Sequence, residues 1–157
     1  MSIQWIAAAA IAGSAIAASV SAEEQTLRFR VVLTKVSTES LDVANQPGRT
    51  MSLERVVGVA VFEDGRIAFK VVTGTVDGTA EQGSYAGYAT YTFESGDSIT
   101  VKYGGEWPSE AGGTAEVIAG TGVYEGATGT VQFTTVQDPW EDANIDEGTF
   151  TINVPAS

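Results

Sequence analysis

The chain has 157 residues, 43% of them hydrophobic, with 20 acidic and 8 basic side chains and a net charge of −12. Phosphate backbones and anionic lipid surfaces repel such a charge, so composition argues against nucleic-acid and membrane partners. The sequence contains neither Cys nor His, which removes disulfides, thiolate and imidazole metal sites, cysteine nucleophiles and histidine acid–base chemistry.

The first element is an apolar run of roughly 15 residues from Ile6 to Val20, closed by the small-x-small pattern Val20-Ser21-Ala22. A membrane span needs about 20 such residues, so this run reads as a secretory signal cleaved after Ala22. Its leading residues, Met1 to Trp5, lack the Lys or Arg usual in that position. The expected location is periplasmic or secreted. All charged side chains follow Ala22, and residues 23–157 suit a single domain with one core.

From Thr26 onward apolar and polar residues alternate with period two, rich in Val, Thr, Ile, Phe and Tyr and punctuated by Gly. Eight strands are expected, at 26–36, 53–63, 66–76, 84–94, 98–105, 112–119, 128–137 and 146–154, with the longest loop over Ser37–Thr50. No stretch has helical spacing. The expected fold is all-β, a single eight-stranded antiparallel barrel.

Two hairpins fix which faces look inward. Glu63-Asp64-Gly65-Arg66 reads as a two-residue Asp-Gly turn, which pairs Phe62 with Ile67, Ala60 with Phe69 and Gly58 with Val71 on one face. Val61 with Ala68, Val59 with Lys70 and Val57 with Val72 occupy the other. Both faces are largely apolar, where a strand with one side in water should alternate cleanly. A second copy of the chain is the expected cover, as a homodimer or homotrimer. In the second hairpin a three-residue loop, Ser95-Gly96-Asp97, keeps the faces unmixed. It sets Phe93 by Ile99, Tyr91 by Val101 and Ala89 by Tyr103, with Tyr85 in the same inward set and Tyr88 and Lys102 outward.

Gly120-Thr-Gly-Val-Tyr-Glu-Gly-Ala-Thr-Gly129 is the densest glycine pattern. A phosphate loop needs a following Lys and a helix, and here a strand follows, so the pattern reads as a tight inter-strand corner. This stretch, with Ala89 to Val101, resembles the allene oxide cyclase barrel superfamily, which includes plant dirigent proteins and bacterial cyclases of the spirotetronate type. The specific signature is Gly-Thr-Gly-x-aromatic-x-Gly-Ala-x-Gly, with Tyr124 as the aromatic residue, and strand count and order extend the similarity from Thr26 to Val154. The resemblance implies an apolar central cavity, cofactor-free handling of a hydrophobic ligand, and a dimer or trimer. Catalytic residues differ among its branches, and none carries over.

Without His and Cys, acid–base work falls to Asp, Glu, Tyr or Lys, assisted by Arg. Tyr91 and Tyr103 are the candidate catalytic residues, each an apolar ring carrying a hydroxyl inward. The alternative is a filled core in which both hydroxyls meet backbone carbonyls. Phe69, Tyr85, Phe93, Trp107, Trp140 and Phe150 form the candidate ligand-binding set, with the two Trp residues at strand ends on the barrel rim. Arg28 and Arg30 share a face and read as an outward, solvated pair, although an inward face would offer them to a ligand carboxylate. Arg55 is placed at an interface or rim. The acids near Trp140 and at Asp146-Glu147 lack the oxygen-ligand spacing of a calcium loop, so no metal is expected. Two functions follow: a cofactor-independent isomerase, cyclase or lyase acting on a hydrophobic or aromatic small molecule, or a dirigent-like or carrier barrel that binds one without catalysis. A filled barrel serving as an interaction protein is the third reading.

Overall fold

The structure, a computed structural model, describes residues 22–108 and 112–156, with side chains except at 137–139. All of the expected export segment but its last residue, Ala22, lies outside the described residues. The chain forms eight strands: β1 (Ala22–Asp42), β2 (Thr50–Phe62), β3 (Ile67–Gly78), β4 (Gly83–Phe93), β5 (Ser98–Trp107), β6 (Gly113–Thr121), β7 (Thr128–Trp140) and β8 (Ala143–Pro155). Each pairs antiparallel with its neighbour in sequence, and β8 returns to β1 to close the barrel. Closure leaves no unpaired edge within the ring.

Strand alternation divides the wall cleanly. Leu27, Phe29, Val31 and Leu33 of β1 are buried while Arg28, Arg30, Val32 and Thr34 between them are exposed. Arg28 and Arg30 accordingly face solvent, within 3.9 Å of Glu63 and 3.8 Å of Glu147 respectively. Exposed pairs of this kind contribute at most about 1 kcal/mol.

β1 and β2 run well past their expected ends. The loop expected over Ser37–Thr50 shrinks to Val43–Arg49, because after a bulge at Val36 the segment Ser37–Asp42 pairs with Thr50–Arg55. Residues 35–42 of this arm are exposed throughout or nearly so. It is held by its backbone ladder and by polar contacts such as Ser40 with Ser52, so it buries no apolar face that periodicity could reveal.

The first hairpin departs from the expected register by one residue. Its loop is three residues, Glu63-Asp64-Gly65: the Phe62 amide donates to the Arg66 carbonyl, the Gly65 amide donates to the Phe62 carbonyl, and Gly65 sits at φ 89°. That is a turn followed by a left-handed glycine bulge rather than a two-residue turn. The resulting partners are Val61 with Ile67, Ala60 with Ala68, Val59 with Phe69 and Gly58 with Lys70. A one-residue slip sends every side chain of one strand to the other face. Phe69 therefore points outward, 49% exposed, and Lys70 points inward, 6% exposed.

The second hairpin has the same loop, closed by Phe93 and Asp97 around Glu94-Ser95-Gly96, with Gly96 at φ 90°. It lies one residue earlier than expected, so Tyr91 pairs with Ile99 and Ala89 with Val101. The strands shift by two residues in combined register, which preserves the inward set.

The interior has two unlike halves. Toward the β2–β3, β4–β5 and β6–β7 loops the lumen is filled by Phe29, Phe62, Phe93, Tyr124 and Phe150, with neighbouring ring centroids 5.0–6.2 Å apart. The glycine corner seals this end. A short 3-10 turn, Gly122–Tyr124, buries the Tyr124 ring against Phe93, and Gly122 and Gly126 adopt φ 60° and 73°. The Arg66 side chain donates to the Tyr124 hydroxyl from outside. At the opposite end the lumen is open.

Candidate functional site

The open half contains a cavity of about 490 Å³, within the range of roughly 300–1,000 Å³ that suits drug-sized ligands. Its walls are largely aliphatic and aromatic, including Val56, Val72, Val101, Val131 and Phe133. Tyr91 and Phe150, whose rings meet edge to face at 5.0 Å, mark the floor where cavity gives way to filled core.

Glycines shape the mouth. Gly74 of β3 and Gly87 of β4 are cross-strand partners, and a Cβ on either would fall 2.2 or 2.6 Å from the Tyr103 hydroxyl. Tyr103 thus lies along the wall instead of across the lumen. Trp107 lies in the same manner against Gly78 and Gly83, and its indole Nε1 donates to the Thr79 carbonyl at 3.3 Å.

Charge is concentrated at the floor. Lys70 and Asp146 are the two buried charged residues among those described, each 6% exposed, and both line the cavity. Lys70 is the cross-strand partner of Tyr91, and its Nζ stands 5.1 Å from the centroid of that ring, within reach of a cation–π attraction. Among the described residues no carboxylate comes within 4 Å of Nζ and no hydrogen bond engages it. It is not sealed off either: no buried side-chain nitrogen or oxygen lacks a partner among those residues, so Nζ opens on the cavity. Asp146 is anchored through one oxygen, Oδ1, which accepts from Thr135 Oγ1 at 2.8 Å and from Asn144 Nδ2 at 2.5 Å. Oδ2 has no such partner among the described residues.

Burial holds Lys70, Tyr91 and Tyr103 away from their charged forms. Desolvation lowers Lys70 from 10.5 to about 8, with the Asp146 charge opposing that fall. Tyr91 is raised far above its ordinary value, first by burial and then by the Asp146 charge. Tyr103 is pushed up to about 12 by burial, then by Glu54 and Tyr85. Both tyrosines are therefore hydrogen-bond donors at neutral pH. The carboxylate that acts on Tyr91 is Asp146 and the one that acts on Tyr103 is Glu54, while Lys70 is a cation near its titration point.

Of the sequence-predicted residues, the structure brings Tyr91, Tyr103, Tyr85 and Trp107 to the cavity wall. Phe93 and Phe150 lie in the filled half. Phe69 is outside the barrel for the register reason given above, and Trp140, at the end of β7 and 53% exposed, does not line the cavity. The sequence reading missed Lys70 and Asp146. The signal that places Lys70 inward was present: Phe62-Glu-Asp-Gly-Arg66 and Phe93-Glu-Ser-Gly-Asp97 share the pattern Phe-Glu-x-Gly-x, and the loop that suited the second also forms the first.

The closed eight-stranded antiparallel barrel defines the class of protein. It matches the solved structure of the pterocarpan synthase dirigent protein GePTS1 with a TM-score of 0.63 and 13% identity, covering 96% of this chain and 100% of that one. The pterocarpan synthase dirigent protein PsPTS1 matches with a TM-score of 0.60 and 13% identity over 86% of this chain and 97% of that one. No family model matches the chain, and no curated protein matches its sequence. The chain thus has the barrel fold found in dirigent proteins, the fold that the glycine signature implied.

Proposed function

We propose that this chain is an exported barrel that holds one hydrophobic or aromatic small molecule and acts on it, without a cofactor, as an isomerase, cyclase or lyase. The observation that carries the reading is the placement of Lys70, Asp146 and Tyr91, all buried, in the lining of a largely apolar cavity. Burying such charges costs several kcal/mol per ion before compensation, a cost that a purely structural barrel avoids with aliphatic residues. Tyr91 and Tyr103 donate to a ligand oxygen, Asp146 accepts a proton, and the walls exclude water while fixing the ligand's shape. The largely apolar lining also supports a second reading, in which the barrel orients or carries the molecule without changing it.

The outer surface supports self-association. Val32, Val59, Val61, Ile67 and Phe69 are each 37–52% exposed and adjacent across β1, β2 and β3. Contiguous apolar surface of this kind marks interfaces, and a second copy is the occupant proposed, in a dimer or trimer.

Native mass spectrometry of the protein purified from its own source tests both parts in one spectrum. The expected result is a multimer carrying one small molecule per subunit, with that mass lost in Ala89→Phe, which fills the cavity from β4. A ligand retained by a folded Ala89→Phe protein would place binding elsewhere and overturn the cavity reading. A molecule recovered unchanged after incubation favours the carrier over the enzyme.

A further inference from the structure

We propose that Lys70 is a carbonyl-capturing amine, which condenses with a hydrophobic aldehyde or ketone seated in the cavity to form an imine. This rests on the reading that the cavity holds a hydrophobic small molecule, and it names the functional group that molecule carries.

Three features of the site lead there. Lys70 is buried along its stem, and its Nζ opens on the cavity and is claimed by no hydrogen bond or ion pair among the described residues. A lysine retained for structure is ordinarily matched to a carboxylate, because an unmatched buried cation is costly. The charge balance also disfavours an anionic ligand. Asp146 acts on Lys70 from beyond ion-pair distance, and Glu54, which also lines the cavity, is paired with Lys35 at 2.9 Å, so the lining holds two carboxylates to one lysine and gives an incoming anion little net attraction. A neutral electrophile needs none. Finally, groups able to carry protons line the same floor: the Tyr91 ring lies 5.1 Å from Nζ, and Asp146 is anchored through Oδ1 while Oδ2 has no side-chain partner among the described residues. Burial supports the same chemistry, since an amine titrating near 8 is about one-tenth neutral at pH 7.

The step balances without oxidant or reductant. The neutral Nζ lone pair attacks the carbonyl carbon, forming the C–N bond, while the Tyr91 hydroxyl hydrogen-bonds the carbonyl oxygen and keeps its proton. Asp146 accepts one proton from nitrogen and returns it to that oxygen, giving the neutral carbinolamine. A second transfer of the same kind, from nitrogen through Asp146 to the hydroxyl, expels the oxygen as water. The product is a neutral C=N bond to Nζ plus one water, and solvent at the mouth can protonate it. When protonated, it places the same positive charge beside Asp146 that the ammonium did.

The test uses trans-cinnamaldehyde with sodium cyanoborohydride on the intact protein, with peptide mapping of the reduced adduct. The exposed lysines Lys35 and Lys102 serve as internal references. Labelling at Lys70 is expected to be about tenfold faster than at either, with a rate that rises with pH to a midpoint near 8. Lys70→Met should lose the fast adduct. Cinnamyl alcohol, similar in shape but without the carbonyl, is measured in parallel by native mass spectrometry. If the alcohol binds and Lys70 is labelled no faster than Lys35 and Lys102, the imine inference falls and the cavity reading stands. Should neither the alcohol bind nor Lys70 react, both fall.

Discussion

The two halves of the barrel are built from the same strands and the same alternation, yet one is a core and the other a site. In the closed half rings meet rings: Phe93 with Tyr124 and Tyr91 with Phe150 at 5.0 Å, Phe62 with Phe93 at 5.2 Å. In the open half ring pairs are fewer among the described residues, Tyr85 with Tyr103 at 6.1 Å and Tyr103 with Phe133 at 6.4 Å. Tyr103 and Trp107 rest on glycine backbone there instead of reaching across. An eight-stranded barrel is just wide enough to be either filled or occupied. What decides between these is where inward aromatics are aimed, not how many there are. The teaching is a division of labour, with stability concentrated at one end and polar groups tolerated at the other.

The largest effect that can break this division is on stability. Phe150 is fully buried at the junction of several rings, so Phe150→Ala should cost about 3–5 kcal/mol in chemical denaturation. Trp107 is only half-buried and borders the cavity, so Trp107→Ala should cost under about 1.5 kcal/mol. Equal losses would show that the open half is as much a core as the closed one.

The same division explains what could be read from sequence. Strand number, antiparallel closure, the outward Arg28 and Arg30, and the inward Tyr91, Tyr103 and Tyr85 all follow from period-two alternation. In those segments one face is buried, so residue polarity reports it. Lys70 and Asp146 were missed for the opposite reason: each is a charged side chain on an inward face, where alternation leads one to expect an apolar residue. Between Ala60 and Val72 both faces are nearly equally apolar, so hydrophobicity did not fix the register and only the loop type could. Asp146 sits in a run with Asn144 and Glu147 that resembles solvated strand-end residues. Its inward aim is in phase with Phe150, Ile152 and Val154 and matches its pairing with Val31 and Thr135, so alternation carried the signal and the charge at a strand end masked it. Ser37–Asp42, the half of the arm that pairs with Thr50–Arg55, was read as loop because it buries nothing.

A smaller effect, of opposite sign, sharpens the comparison. Burial lowers the folded pKa of Lys70 from 10.5 to about 8. Below 8 both folded and unfolded chains carry the proton, and the folded chain bears the desolvation cost in full. Between 8 and 10.5 the unfolded chain binds a proton that the folded chain has released, so stability gains with rising pH and the cost fades. Lys70→Met should therefore stabilise the protein by about 1–3 kcal/mol at pH 7, a part of the shift's full equivalent because Asp146 loses its counter-charge. Denaturation at pH 7 and pH 9.5 checks this, and the difference between variant and wild type must shrink at the higher pH. A variant less stable than wild type at pH 7 would make Lys70 a structural residue.

The smallest effect separates the two tyrosine roles. No hydrogen bond to the Tyr103 hydroxyl is found among the described residues, and the oxygen lies over the Gly74–Gly87 pair at the cavity wall. If that hydroxyl serves a ligand and not the fold, Tyr103→Phe should change stability by less than about 0.5 kcal/mol, whereas loss of a structural hydrogen bond costs about 1 kcal/mol. Because Tyr103 is pushed up to about 12, it remains a donor throughout the range from pH 6 to pH 9. Its contribution to binding an oxygen-bearing ligand such as cinnamyl alcohol should then be constant with pH, while Lys70-dependent labelling by cinnamaldehyde rises toward pH 8. Binding measured at several pH values in wild type and Tyr103→Phe tests this directly. A pH-dependent Tyr103 contribution would tie the mouth of the cavity to the titration of its floor, and the open half would then have to be treated as one coupled group instead of a wall that positions and a floor that reacts.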